Sequence, residues 1–441
     1  MIDLQKFLDS GIARNGVPGA ALAVLTPNGV EVAVAGVINA RTGVPVQEDT
    51  LFQIGSITKV WTSTIAMQLA AEGLLDIDQP IVEIDPSLAV GGAPGAAITM
   101  RHLLSHTSGL ECDLLLDTGR GDDVLERYVE QVRDEPLMHE PGELWSYCNT
   151  GFIIAGRALE LVSGKTWDQL VQERIISPLG LERSGTLPEQ ALLHSAAVGH
   201  VHALGEPYRP ADAWFFPRAV GPAGSVFTSV RDLAAFGRLH LAPSDVLAEE
   251  GLVAMRTEVI ASEELVPGLT GWGIGWGRFQ WGEDTVYIHT GGTIGQYAFV
   301  VVHPGSGSVI ALLTNGGNAD ALSSEVYNAI APELFGLQPA GPRAPGVTPA
   351  VDAPFGEYLR YGSSIVLRTG ADGPEVELIE GEVETGDGEH RATFPLLTDA
   401  DGTLTVIPPG SPGATLLLPF TLRNGKSAIL VGTRLYVAAA A

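Results

Sequence analysis

Basic side chains are scarce in this chain. Against 52 acidic residues it has 25 lysines and arginines, a formal net charge of −27, and only four of its 441 residues are lysines: Lys6, Lys59, Lys165 and Lys426. A field of that sign repels nucleic acid and anionic lipid, so neither is expected as a partner. Cysteine is nearly absent. Cys112 and Cys148 are too few for a disulfide framework, and reduced thiols in a cytoplasm are the expectation. Long apolar runs are missing as well: no stretch reaches the ~18 uninterrupted apolar residues of a membrane span. The opening "MIDLQKFLDSGIARNGVPGAALAV" has no basic segment followed by an apolar one. It reads as an amphipathic helix leading into a strand, and no secretory signal is expected. Also missing are H-E-x-x-H, a P-loop, a dinucleotide fingerprint and a G-x-S-x-G elbow, so no metal or cofactor is expected. Two suggestive fragments are set aside. Arg120-Gly121-Asp122 is not read as an adhesion motif in so acidic a chain. His200 and His202 alternate in "GHVHAL" without the further ligands a zinc site needs.

What is present is ordinary globular text, 45% hydrophobic and 17% charged. Strand-like runs open it ("GAALAVLT", "VEVAVAGVIN"), and strands return from Gly271 onward ("GWGIGWGRFQW", "TVYIHTGG", "YAFVVVHP", "SVIALLTNG"). Helical periodicity lies between them, in the segment after Ser56, in "NTGFIIAGRALELVSGK" and in "TSVRDLAAFGRLHL", where Thr228 or Ser229 is the expected N-cap. The region from Glu111 to about Glu143 reads as polar. Strands from both ends with helices between predict an α/β fold: a mostly antiparallel sheet flanked by helices, with a helical subdomain, over residues 1–335. Residues 336–354 are rich in proline and glycine and read as a linker. Short alternating segments over 355–441 predict a small all-β domain, barrel or sandwich.

The chemistry starts at "FQIGSITKVW". Lys59 is followed by text that is apolar almost all round, although a lysine normally keeps its ammonium in water. With Ser56 in the first helical turn, Lys59 at i+3 shares its face and brings Nζ within reach of Oγ. Burial disfavours the charged lysine, and a neutral lysine can accept the serine proton. The bland reading is an N-cap serine beside a snorkelling lysine. In "PGELWSYCNTGF", a Tyr147 hydroxyl meeting an ammonium can titrate low enough to act as a base, and Asn149 can bind a carbonyl and hold the lysine. The bland reading is a core aromatic and a helix cap. In "VYIHTGGTIGQ", His289-Thr290-Gly291-Gly292 ends a strand, and its glycines permit close approach to a ligand. The N–H of Gly292, paired with that of Ser56, can form an oxyanion hole. The bland reading is a glycine hairpin with an incidental histidine.

S-x-x-K, Y-x-N and H-T-G in this order resemble the signature motifs of serine β-lactamases and penicillin-binding proteins. The surrounding text of residues 17–335 is similar to their class C–type branch. The resemblance implies a serine acyl-enzyme mechanism with Ser56 as nucleophile and Lys59 and Tyr147 as the base system. Asn149 and His289 would then lie against the substrate, and the N–H groups of Ser56 and Gly292 would form the oxyanion hole. Class C β-lactamases have lysine where His289 stands. Histidine there resembles D-peptidases and related esterases.

The C-terminal β-domain and the expected cytoplasmic location resemble the penicillin-binding-protein-type thioesterases, which cyclise a nonribosomal peptidyl thioester. That branch has a lipocalin-like C-terminal domain with an arginine near the active site. Arg434 in "VGTRLYV" is the candidate, set against a strand arginine with a local carboxylate partner. The expected substrate is a peptidyl or acyl thioester, ester or amide, with a peptidyl carrier domain as partner. A carboxylesterase, D-peptidase, amidase or weak β-lactamase is the first alternative. A non-catalytic binding protein on the same scaffold is the second.

Overall fold

The strands of the two ends do meet, and β1 shows why they must. In the computed structural model, which describes residues 2–201, 208–262, 265–381, 390–407 and 413–439, α1 (Leu4–Asn15) leads into β1 (Gly19–Thr26) and β2 (Gly29–Asn39). After the helical middle come β3 (Leu269–Trp272), β4 (Gly277–Trp281), β5 (Asp284–Gly292), β6 (Tyr297–His303) and β7 (Ser308–Thr314). β1 is apolar without alternation, so both of its faces need cover. Ala20, Leu22 and Val24 point into one core with α1 and α6 (Ala319–Leu334). Ala21, Ala23 and Leu25 point into the other, with the remaining helices. The period of two that separates these sets also separates Ile310 and Leu312 from Ala311 and Leu313 on β7. The sheet is antiparallel throughout, in the order Val44–Pro45, β2, β1, β7, β6, β5, β4, β3, Ile260–Ala261.

Four helices of the middle region matter for the site. α2 (Thr58–Ala71) is buried along nearly its whole length, Lys59 included. α3 (Val124–Val132) lies in the stretch that reads as polar in sequence. Its apolar positions Val124, Leu125, Tyr128, Val129 and Val132 all face inward, a helical pattern hidden among acidic neighbours. α4 (Asn149–Ser163) starts at Cys148, whose sulfur accepts from the Gly151 N–H, so the cap is the cysteine and not Asn149. α5 (Val230–Leu239) is capped by Ser229, which accepts from the Asp232 N–H.

The C-terminal strands form a second antiparallel sheet, nearly closed and barrel-like. It comprises β8 (Gly356–Arg360), β9 (Ser363–Gly370), β10 (Gly373–Glu380), β11 (His390–Pro395), β12 (Leu404–Val406), β13 (Thr415–Thr421), β14 (Ser427–Val431) and β15 (Arg434–Ala438), with two short strands at one edge. Closure comes through Leu396, which donates to the Pro374 carbonyl and accepts from the Ala350 N–H. The stretch expected as linker yields its last part to this sheet, since Thr348–Pro349 pairs with Leu397–Thr398 and Ala350 is buried. The barrel docks beside the first sheet through Leu422, Ala428, Leu430 and Leu435, which pack with Trp145, Leu269 and Trp272. Among the described residues no helix is long and apolar enough to cross a membrane.

Candidate active site

Two glycines let the site form. Gly55 has φ +49°, in the left-handed region that favours glycine, and it opens a 3-10 turn, Gly55–Ile57, just before α2. Ser56 therefore sits in that tighter turn and not in the first α-helical turn. β5 presses its end onto this turn. A methyl group at Gly291 would lie 1.9 Å from the Ile54 carbonyl oxygen and 2.7 Å from the Ser56 nitrogen. The backbone of His289–Gly292 thus lies against the serine, at the positive end of the α2 dipole.

Lys59 is fully buried. Its Nζ lies 2.9 Å from Ser56 Oγ and donates to the Ala223 carbonyl at 2.7 Å. The partner that holds the lysine is this carbonyl. Asn149 instead donates to Asp113 Oδ1 at 2.6 Å. Burial pushes the Lys59 pKa well below the ordinary lysine value and the Arg434 charge adds to this, with Asp113 opposing.

Tyr147 lies over the pair, with Lys59 Nζ 4.9 Å and Arg434 Cζ 4.6 Å from its ring centroid. His106 stacks on it at 4.1 Å. Burial raises the phenol pKa, more than Ser56 and Arg434 lower it. Burial thus works against a low-titrating Tyr147, and its buried Oη makes no hydrogen bond of regular geometry with the neighbouring Ser56.

His289 is neutral. Burial, with the Lys59 charge, pushes it down to about 3. Its Nδ1 meets the Thr290 carbonyl at 2.7 Å, which assigns the proton to Nδ1 and leaves Nε2 as a buried acceptor without a partner. The fixed positive charge comes from Arg434 at the start of β15. Burial works against that charge, but Asp113 outweighs it and the pKa is raised. Arg434 donates to Asp113 Oδ2 at 2.8 Å and Oδ1 at 3.4 Å, and to Thr433 Oγ1. Both sequence readings of Arg434 meet here, because it has a carboxylate partner and also lines the cleft, but that partner is remote in sequence.

Ser56, Tyr147, His289, Thr290, Gly291, Gly292 and Arg434 line one open cleft of about 290 Å³. Trp145, Val266, Leu269, Trp272, Phe279 and Ile288 supply its apolar walls. Lys59 and Asn149 lie beneath it. Sequence reasoning missed Asp113, Thr433, Ala223 and the two tryptophans. Thr433 supplies the carbonyl that receives the Tyr147 N–H, and Ser146 Oγ receives the Leu435 N–H, so the barrel is tied to the Tyr147 segment from both sides. Cys112 and Cys148 are free and buried under that segment. His200 bonds to Asn315 and Ala40, and His202 lies outside the described residues. Among the described residues no group of three or more His, Cys, Asp or Glu is placed to hold a metal ion.

Residues 4–331 match the beta-lactamase family. The chain is 39% identical over 376 residues to "Penicillin-binding protein 4" of Amycolatopsis lactamdurans, a match spanning 82% of this chain and 98% of that protein. Among solved structures, SurE is similar with a TM-score of 0.79 and 26% identity over 99% of this chain and 98% of that one, and it has also been solved with D-Leu. A D-stereospecific amidohydrolase from Streptomyces sp. is similar with a TM-score of 0.60 and 27% identity, over 75% of this chain and 98% of its own.

Proposed function

The chain belongs to the beta-lactamase family, as a serine hydrolase or acyltransferase of that fold, and we propose that its reaction is the off-loading and cyclisation of a peptidyl thioester. The observation that carries this reading is Arg434: an arginine of the C-terminal barrel, paired with Asp113, lies 4.6 Å from the ring centroid of Tyr147, beside the buried serine–lysine pair. The neutral His289 leaves that charge as the means of holding a substrate carbonyl or carboxylate. The likeness to SurE over both full lengths, and its structure with D-Leu, support a peptide ending in a D-configured apolar residue. The two tryptophans of the cleft suit such a side chain. The barrel is read as lipocalin-like, a peptidyl carrier domain as the donor of the thioester, and the cytoplasm as the place of work.

In this mechanism Ser56 Oγ attacks the thioester carbonyl while Lys59 Nζ takes its proton. The N–H groups of Ser56 and Gly292 hold the oxyanion. Collapse expels the thiolate, which takes up the proton, and leaves an ester on Ser56. Tyr147, protonated, donates its hydrogen bond to the reacting oxygens. The peptide's own amine then attacks the ester and loses its proton to Lys59, and Ser56 leaves with that proton. Asn149, fixed by Asp113, orients the acyl chain.

A peptidyl thioester mimic should give an adduct on Ser56 by intact mass and a cyclic product. Linear product alone would favour the D-peptidase or esterase alternative, which a higher kcat/KM on p-nitrophenyl butyrate would support. Reversible binding with no adduct in the native chain would favour a non-catalytic binder. A pH profile tests the base. An ordinary lysine titrates at about 10.4, so its basic form, and with it kcat/KM, would climb about tenfold per pH unit from 7 to 9. With the Lys59 pKa pushed well below that value by burial, kcat/KM should climb less steeply than this over the same range. A tenfold-per-unit rise would remove Lys59 as the base.

A further inference from the structure

We propose that Asp113 is a positioning residue that docks the barrel's Arg434 against Tyr147 in the cleft and orients Asn149 with the same carboxylate. The proposal rests on the reading of Ser56 as nucleophile. Asp113 stands in the helical middle of the chain, and its side chain is only 7% exposed. A buried carboxylate is costly unless every lone pair is met. Here Oδ1 accepts from Asn149 Nδ2 at 2.6 Å and from Arg434 Nη2 at 3.4 Å, while Oδ2 accepts from Arg434 Nε at 2.8 Å and from Arg360 Nη1 at 3.2 Å. Burial alone would raise its pKa, but Arg434 and Arg360 hold it below the usual carboxylate value. One acid therefore fixes a residue of α4 that lies beneath the cleft and two arginines of the second sheet. Gripped along its Nε–Nη2 edge, the Arg434 guanidinium is left with its centre 4.6 Å from the Tyr147 ring centroid.

An interface ion pair with no part in turnover predicts something different. Asp113 and Arg434 act on the Lys59 proton with opposite sign, the arginine opposing the ammonium and the carboxylate favouring it. A role confined to holding the two sheets together would not separate them in a pH profile.

The experiment measures fluorophosphonate labelling of Ser56 by intact mass, and kcat/KM on a peptidyl thioester mimic, from pH 5 to 9. Near-UV circular dichroism checks the fold of each variant. Asp113→Asn should lose about 10- to 100-fold in kcat/KM, the usual scale for a residue that orients a reacting group. Its acidic limb should move to lower pH. Arg434→Gln should move that limb to higher pH. In the Arg434→Gln background, Asp113→Asn should cost less than it does in the native chain, since only the Asn149 contact is then left to lose. If Asp113→Asn alone does not fold, the double variant, which no longer leaves Arg434 without its carboxylate, is compared with Arg434→Gln. A further loss of less than about tenfold, from the Asn149 contact alone, supports the proposal, and a larger one overturns it. A folded Asp113→Asn with native kcat/KM and an unmoved limb, or fully additive losses, would also overturn it. Failure of the native chain to label at Ser56 would overturn the functional reading beneath it.

Discussion

Ser56→Ala should lower turnover of a peptidyl thioester by about 10⁴- to 10⁶-fold, the range seen when a hydroxyl nucleophile and its base act together. The buried Lys59 Nζ and Ser56 Oγ lie 2.9 Å apart. Among the described residues Lys59 Nζ is hydrogen-bonded to the serine hydroxyl and the Ala223 carbonyl, and of these the hydroxyl is the one with a proton to give. Lys59→Ala should therefore cost nearly as much as Ser56→Ala, and the double variant little more than either. The residual rate would come from the oxyanion donors and substrate binding. Single-turnover kinetics with mass detection of the acyl-enzyme measure all three variants. An adduct on Ser56→Ala would place the nucleophile elsewhere. Near-native turnover by Lys59→Ala would move the base role to another group.

Gly291→Ala should cost about 100-fold in kcat, because a displacement of about 1 Å at a reacting group has that effect. The added methyl would meet the Ile54 carbonyl oxygen at 1.9 Å and the Ser56 nitrogen at 2.7 Å, and both obstacles are backbone. Either β5 withdraws or the nucleophile turn is pushed aside, and each outcome breaks the pairing of Ser56 with the Gly292 N–H. Gly292→Ala is the informative comparison. Its methyl would meet only Tyr297 ring carbons, at 3.6 Å, an ordinary contact, and its N–H is retained. Its loss should be far smaller. Measured together, equal losses at the two positions would reject close packing as the reason for the glycine pair.

These residues also show how far sequence text reaches. Ser56 and Lys59 were legible because i+3 spacing brings side chains together in a 3-10 turn as it does in an α-helix. The strands were legible because burial follows alternation. The sign of the Tyr147 shift was not, because it depends on how much water the fold removes around the phenol. Asp113 was not legible for a different reason. It is one acid in an acid-rich stretch, and its partners Arg360 and Arg434 stand 247 and 321 residues further on. Nor was the docking of the barrel, since Leu422, Leu430 and Leu435 alternate as any barrel residues do and nothing local marks them as facing another sheet.

The pairing of β1 with β7 has a consequence for how the protein is made. The middle strands of the first sheet come from opposite ends of residues 19–314, so a nascent chain cannot close that sheet until β7 has left the ribosome. Arg434 and the leucines that cover Trp145 and Trp272 emerge later still. At about 5–20 residues per second this leaves a window of several seconds in which an apolar cleft stands open. During that window Trp145 and Trp272 lack their leucine cover, and the site is complete only once β15 has emerged.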